Sequence, residues 1–290
     1  MKLFVFGYGF SGGALARRLR AEGWSFAAAA RNPQARAAVE AEGGRAVDPS
    51  DRDGLVEALA DAQAVLATAP PGPEGCPALP LVVSALARAG AFPDWIGYLS
   101  TTGVYGDRGG GWVFEESRLA AVSLEGARRV AAERDWLEVG RGMGLTVTIH
   151  RLPGIYGPGR SAFDRLREGR ARRYAAPGQV FSRVHVEDLA AGLAASIARP
   201  RAGGIYNLCD DEPAPNGEVI AYAAQLLGLP APPEEPLNLD ALAPSARRFY
   251  AETKRVSNAR AKAELGWRPA YPTYREGLAA VLEAERAAQS

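Results

Sequence analysis

At 290 residues and 47% hydrophobic content, the chain is long enough for one large α/β unit or two intimate ones, and it contains no repeat or low-complexity segment. A formal net charge of +1 gives no electrostatic reason to expect nucleic acid or an anionic membrane as a partner. The two cysteines, Cys76 and Cys209, are far apart and lack metal-ligand spacing, and no apolar run reaches transmembrane length, so a cytoplasmic protein with reduced thiols and no metal is expected.

In chain order, Leu3 to Phe6 form a short continuous apolar run suited to a strand buried on both faces. Gly7, Gly9 and Gly12 follow at G-x-G-x-x-G spacing, and the glycines interrupt what Lys2 and the apolar run could otherwise suggest as a signal peptide. A helix pattern starts at once, with Ala14, Leu15 and Leu19 on one face. Glycines are needed there because the turn is tight, the backbone must approach a pyrophosphate, and helix must pack closely on strand. The helix N-terminus, with Phe10 and Ser11 beside the glycines, is then expected to meet the anion through free N–H groups and its dipole.

Trp24 to Ala30 reads as the second strand and ends at Arg31-Asn32-Pro33. An NAD-preferring site would place an acidic residue there to hold the ribose hydroxyls. Arg31 stands in that place and can grip a 2′-phosphate, so NADP is expected as cofactor, with NAD possible. Arg45 to Asp48 ends a short third strand, with Asp48 either accepting from the adenine amine or capping the next helix over Leu55 to Ala60. Ala64 to Ala69 forms the fourth strand, and the proline run from Pro70 breaks it, placing Ala69 and Pro70 beside the cofactor. A helix over Leu79 to Ala89 and strands over Trp95 to Ser100 and Leu145 to His150 complete the alternation. This pattern specifies an α/β, Rossmann-type, doubly wound parallel sheet whose site lies at the strands' C-terminal ends. After about residue 157 the alternation stops, and the composition places a smaller C-terminal substrate domain over 158–290, with about 183–210 returning to the sheet.

Six segments, GYGFSGG, YLSTTGVYGD, RLPGIYGPGR, RVHVEDLA, IYNLCDDEP and LGWRPAYPTYREGL, occur in the order seen in extended short-chain dehydrogenase/reductases, the family of nucleotide-sugar epimerases and dehydratases. The glycine spacing particularly resembles an atypical branch of that family. The resemblance covers essentially the whole chain and implies a nicotinamide dinucleotide, a small-molecule substrate, and hydride transfer with a tyrosine as acid or base and a lysine that lowers its pKa. It also suggests a homodimer by analogy. Thr101 matches the family's serine or threonine that aligns the substrate oxygen. Glu125 occupies the tyrosine position and Arg129 the lysine position.

No shift of alignment restores the pair, because there is no tyrosine from Gly106 to Ile155 and no lysine from Leu3 to Thr253. Arg129 can hold the cofactor but stays protonated and cannot relay a proton as lysine does. The acid–base pair of family dehydratases is replaced by Thr102 and Gly103, which argues against that elimination. Phe181 stands where many relatives carry a diphosphate-binding arginine, and Arg183 could reach the same face of an extended segment. Arg160 and Ser161 fall where family members enter the substrate cleft. Glu125 and Tyr105 are the candidate replacement acids, each with a plain structural alternative, and His185 reads as structural. The expected function is an oxidoreductase-like enzyme of altered mechanism on a carbonyl or sugar-like substrate, or else a non-catalytic NADP(H)-binding sensor or partner-binding protein.

Overall fold

The computed structural model describes residues 1–288. Its first half runs β1 (Lys2–Phe6), α1 (Phe10–Ala21), β2 (Ser25–Ala29), α2 (Pro33–Ala41), β3 (Arg45–Val47), α3 (Arg52–Ala60), β4 (Ala64–Ala67), α4 (Ala78–Ala89) and β5 (Trp95–Thr101). A 3-10 turn (Thr102–Tyr105) leads to β6 (Trp112–Val113), the long helix α5 (Leu124–Met143) and β7 (Val147–Leu152). There follow β8 (Gly154–Tyr156), α6 (Ala162–Arg167), β9 (Arg173–Ala175), β10 (Arg183–His185), α7 (Val186–Ala198) and β11 (Gly204–Asn207). The remainder comprises α8 (Asn216–Leu226), β12 (Glu234–Pro236), α9 (Pro244–Tyr250), β13 (Arg255–Val256), α10 (Ala259–Leu265) and α11 (Tyr274–Ala287).

Seven parallel strands form one sheet in the order β11-β7-β5-β4-β1-β2-β3, so the order reverses beside β1, between β1 and β4. Alternation along β1 explains the two layers of helices. Phe4 and Phe6 point into a core shared with α3, α4 and α5, while Leu3 and Val5 point into the opposite core against α1, α2 and α7. Ala27, Ala28 and Ala29 of β2 are buried on both sides, where their small side chains suit close helix packing. The fold is therefore α/β and doubly wound. Beyond β7, a separate core forms around Phe163, Val219, Tyr274, Leu278 and Val281, between α6, α8 and α11, whereas α7 packs on α1 and β11 adds the seventh strand.

Two boundaries differ from the sequence reading for physical reasons. The strand expected to end at His150 continues through Arg151 and Leu152, both buried. A charge can stand inside the sheet because Arg151 is clamped by the carboxylate of Glu133 on α5, with Nη2 to Oε2 at 2.7 Å and Nε to Oε1 at 3.1 Å. The helix after β3 is capped by Asp51, which accepts from Gly54 N at 2.9 Å, so Asp48 does not cap it. Among the described residues, no helix is long and apolar enough to cross a membrane, and no cluster of His, Cys, Asp or Glu could hold a metal ion.

Since Arg151 and Glu133 each have side chains only 3% exposed, removing one leaves the other uncompensated. Arg151→Met should lower unfolding stability by about 3–5 kcal/mol in urea titration; a loss within the error of the wild-type curve would show that the pair contributes nothing.

Candidate cofactor and substrate site

At the carboxyl end of β1 the chain turns through Gly7 at φ 103°, and the first turn of α1 follows Gly9 with no side-chain cap. The three glycines have separate reasons. A Cβ at Gly7 would lie 2.5 Å from Thr68 Oγ1, and one at Gly12 would lie 2.9 Å from Val5 Cγ1 and 3.1 Å from Gly7 O, so both positions are closed by the protein itself. A Cβ at Gly9 would meet nothing within 4 Å. The open side of Gly9 faces a cavity of about 320 Å³ lined by Gly9, Phe10, Ser11, Gly12, Thr68 and Thr101, among others. Uncapped N–H groups at the start of α1 and an open glycine above them suit a pyrophosphate, so the donor set fits a dinucleotide.

Thr68, which sequence reasoning missed, fastens the turn. Its hydroxyl donates to Gly7 O at 2.5 Å. Its signal is a polar residue closing an otherwise apolar strand ahead of a proline run, Ala69 and Pro70, and Ala69 N lies 3.1 Å from where a Cβ of Gly7 would stand. At the ends of β2 and β3, Arg31 is exposed, and Asp48 accepts from Ser50 N at 2.9 Å and from Arg36 Nη2 at 3.2 Å. The Ser50 bonds hold the Asp48 carboxyl below its ordinary pKa.

The opposite wall of this cavity carries Thr101 and Arg129. Thr101 Oγ1 accepts from Gly103 N at 3.1 Å, which leaves its hydroxyl hydrogen free to point elsewhere. Arg129 reaches from α5 to donate to Leu99 O and lies over the Tyr98 ring at 5.8 Å. The two other candidates stand apart. Glu125 is on the exposed first turn of α5 and does not line the cavity. Tyr105 is fully buried, its hydroxyl donating to Asn207 Oδ1 at 2.8 Å and accepting from Arg151 Nη1 at 3.0 Å, and burial pushes its pKa up to about 12.

A second cavity of about 830 Å³ adjoins the first, with Ile155 and Arg160 lining both. Arg160 lies over the Phe10 ring at 5.5 Å, bringing a cation to the seam. Ser161 lines the larger cavity, but its hydroxyl caps α6 by accepting from Phe163 N at 3.1 Å. Arg183 also reaches that wall, yet its guanidinium is engaged with Phe181 O at 2.8 Å and Ala214 O at 3.1 Å. Of the arginine-rich segment after Ser161, Arg167 pairs with Glu285 and Arg170 with Glu168. His185 caps α7 and packs edge-on against Tyr156.

Behind this wall lies a group with no sequence signal beyond its acidity. Asp210 is 2% exposed, and neither carboxylate oxygen finds a hydrogen-bond partner. Desolvation pushes its pKa up to about 8, against the opposing attraction of Arg183.

The site thus has the form of a dinucleotide pocket adjoined by a second, larger cleft. Solved structures share the architecture. The chain superposes with TM-score 0.77 and 22% identity on the UDP-glucose 4-epimerase of Thermus thermophilus in complex with NAD, covering 99% of this chain and 100% of that one. It superposes with TM-score 0.89 and 44% identity on a functionally unknown conserved protein from Silicibacter pomeroyi, over 98% of each chain. No family model matches the chain. It is 32% identical over 286 residues to Protein YeeZ of Escherichia coli K12, spanning 93% of this chain and 96% of that one, and so belongs to the same family as YeeZ. A 3-diazoavenalumate denitrifying reductase from Streptomyces is 32% identical over 145 residues, only 46% of either chain.

Because Gly9 is open and Gly7 is not, substitutions should separate binding from folding. Gly9→Ala is expected to keep the melting temperature within about 2 °C while weakening NADPH affinity at least about tenfold, and Gly7→Ala to lower the melting temperature by several degrees. Fluorescence titration and thermal melts read both. Asp210 provides a pH signature. A carboxyl with a raised folded pKa takes up a proton on folding between about pH 4 and pH 8, so stability falls as pH rises through that window. Melts at pH 5 and pH 8 should show a smaller decline for Asp210→Asn than for wild type; identical declines would exclude Asp210 as the source.

Proposed function

We propose that the chain is an NAD(P)-dependent oxidoreductase-like enzyme acting on a small carbonyl or sugar-like substrate without the tyrosine and lysine used by its structural relatives. The observation that carries this reading is the meeting, in one cavity, of the open glycine turn, Thr101 and Arg129, with Arg160 joining that cavity to a larger cleft. The Streptomyces relative named as a reductase supports it over the half-chain it shares.

Gly9, Phe10, Ser11 and Gly12 would hold the pyrophosphate through backbone N–H groups, Arg31 the ribose 2′-phosphate, and Arg129 the ribose or phosphate on the other wall. When bound, the nicotinamide supplies or accepts hydride. Thr101, whose hydroxyl accepts from Gly103 N and keeps its own hydrogen free, directs that hydrogen at the substrate oxygen. Arg129 contributes a permanent positive charge beside it, which stabilises negative charge developing on that oxygen without exchanging a proton. The proton comes from water, since Glu125 stands on an exposed turn outside the cavity lining. Tyr105 has no part in this scheme, because its hydroxyl is held by Asn207 and Arg151 inside the protein.

A second reading, a dinucleotide-binding sensor without turnover, has its own support: among the described residues, no tyrosine or lysine lines the cofactor cavity.

Titration with NADPH and NADH, followed by nicotinamide fluorescence, tests both readings. Saturable binding is expected, tighter for NADPH, with Arg31→Ala weakening NADPH about tenfold and leaving NADH unchanged. Absence of binding ends both readings. Turnover of NADPH with a carbonyl panel selects the enzyme, and Thr101→Ala should then lower kcat/KM about 100-fold while Thr101→Ser retains most of it. Turnover unaffected by Thr101→Ala removes Thr101 from the mechanism.

A further inference from the structure

The larger cleft has a chemistry of its own. Part of its wall is a stack of Phe181 and Phe249, with ring centroids 4.0 Å and planes 11° apart, and Tyr250 meets these rings edge-on at 5.6 and 5.2 Å. Phe249 remains 43% exposed, a large apolar surface left at the mouth of a cavity. Arginine dominates the charge, with five arginines against Asp164 and Glu168. Arg170 is paired with Glu168, Arg172 turns to the carbonyls of Gly169 and Ala171, and Arg183 is engaged with Phe181 and Ala214. Among the described residues, Arg160 and Arg165 meet neither a carboxylate nor a carbonyl; Arg160 has only the Phe10 ring beneath it.

Three of the neutral hydrogen-bonding side chains on this wall, of the kind that would recognise the hydroxyls of a sugar, already bond within the protein, while the Tyr156 hydroxyl is buried without a partner among the described residues. Ser161 caps α6, Ser182 Oγ accepts from Val256 N at 3.1 Å, and Asn216 Nδ2 donates to Tyr250 Oη at 3.1 Å. What stands out in the cleft is its exposed aromatic face and the two guanidinium groups without a carboxylate or carbonyl partner. We infer that it takes a planar aromatic carboxylate, its ring against the Phe181–Phe249 stack and its carboxylate on Arg160 and Arg165. A guanidinium fork matches a carboxylate in two parallel hydrogen bonds, and a flat ring gains from stacking that a puckered one does not. This inference rests on the proposed function only in taking the cleft as the substrate side of the cofactor cavity, a relation supported by the residues the two share.

The test is isothermal titration of the full chain, with and without NADPH, using 2-naphthoate, its neutral amide, the saturated decahydronaphthalene-2-carboxylate and UDP-glucose. Saturable binding of 2-naphthoate is expected, about tenfold or more tighter than either the amide, which lacks the charge, or the saturated acid, which lacks the π face. Phe249→Ala and Arg165→Gln alter exposed side chains, so folding should persist by circular dichroism, and each should weaken 2-naphthoate about five- to tenfold. The inference is overturned by no binding of 2-naphthoate, by an amide or saturated acid that binds equally well, by UDP-glucose binding more tightly, or by affinity indifferent to both substitutions. The two readings fail separately: 2-naphthoate bound with this selectivity by a chain that takes no dinucleotide upholds this inference and ends the oxidoreductase reading, and dinucleotide binding without 2-naphthoate binding does the reverse.

Discussion

The buried ion pair of Glu133 and Arg151 is the constraint on which the site depends. Glu133 belongs to α5 and Arg151 to β7, and the pair is buried between helix and sheet. Each group completes its bonding with a neighbour that matters. Ser100 Oγ donates to Glu133 Oε1 at 2.5 Å, tying β5 to the helix one residue before Thr101. Arg151 donates to Glu115 O at 2.9 Å and to Tyr105, which continues to Asn207 on β11. Three neighbouring strands and α5 are thereby held in one register. Thr101 on β5 and Arg129 on α5 line one cavity as a result, since either alone could shift by sliding helix over sheet. A satisfied network in a low-dielectric interior specifies geometry strongly, and for the same reason tolerates no missing member.

A dinucleotide pocket and proton chemistry would make separate demands on this molecule. The glycine turn needs only backbone, and its requirements are met by Gly7 at positive φ, Gly12 against Val5, and Thr68 closing the far side. Proton chemistry needs a titrating side chain at the cavity, and the lining has serine and threonine hydroxyls and permanently charged arginines instead. Such a lining can orient and polarise an oxygen but, among the described residues, holds no carboxylate to deliver a proton. The larger cleft is likewise rich in arginine, joined there by the aromatic faces of Phe181 and Phe249.

Sequence alone determined the sheet and the glycine turn between β1 and α1, because both are local. Apolar strands of four to seven residues alternating with amphipathic helices admit few arrangements, and G-x-G-x-x-G between strand and helix has a direct backbone reason. The absence of tyrosine over 106–155 and of lysine over 3–253 was equally legible, since a residue type missing from an entire stretch is independent of fold. Only tertiary structure decided what the polar residues do. Tyr105 and Glu125 read alike as candidate acids until packing buried the first against Asn207 and left the second on an exposed turn. Ser161 proved to be a helix cap and Arg183 a carbonyl clamp, while Arg160, one arginine among many in the sequence, stands at the seam of two cavities. The physical reason is the range of the forces involved. Strand and helix patterns are set by neighbours a few residues away, whereas the role of a charge or hydroxyl depends on desolvation and on partners that can be scores of residues distant, as Tyr105 and Asn207 are.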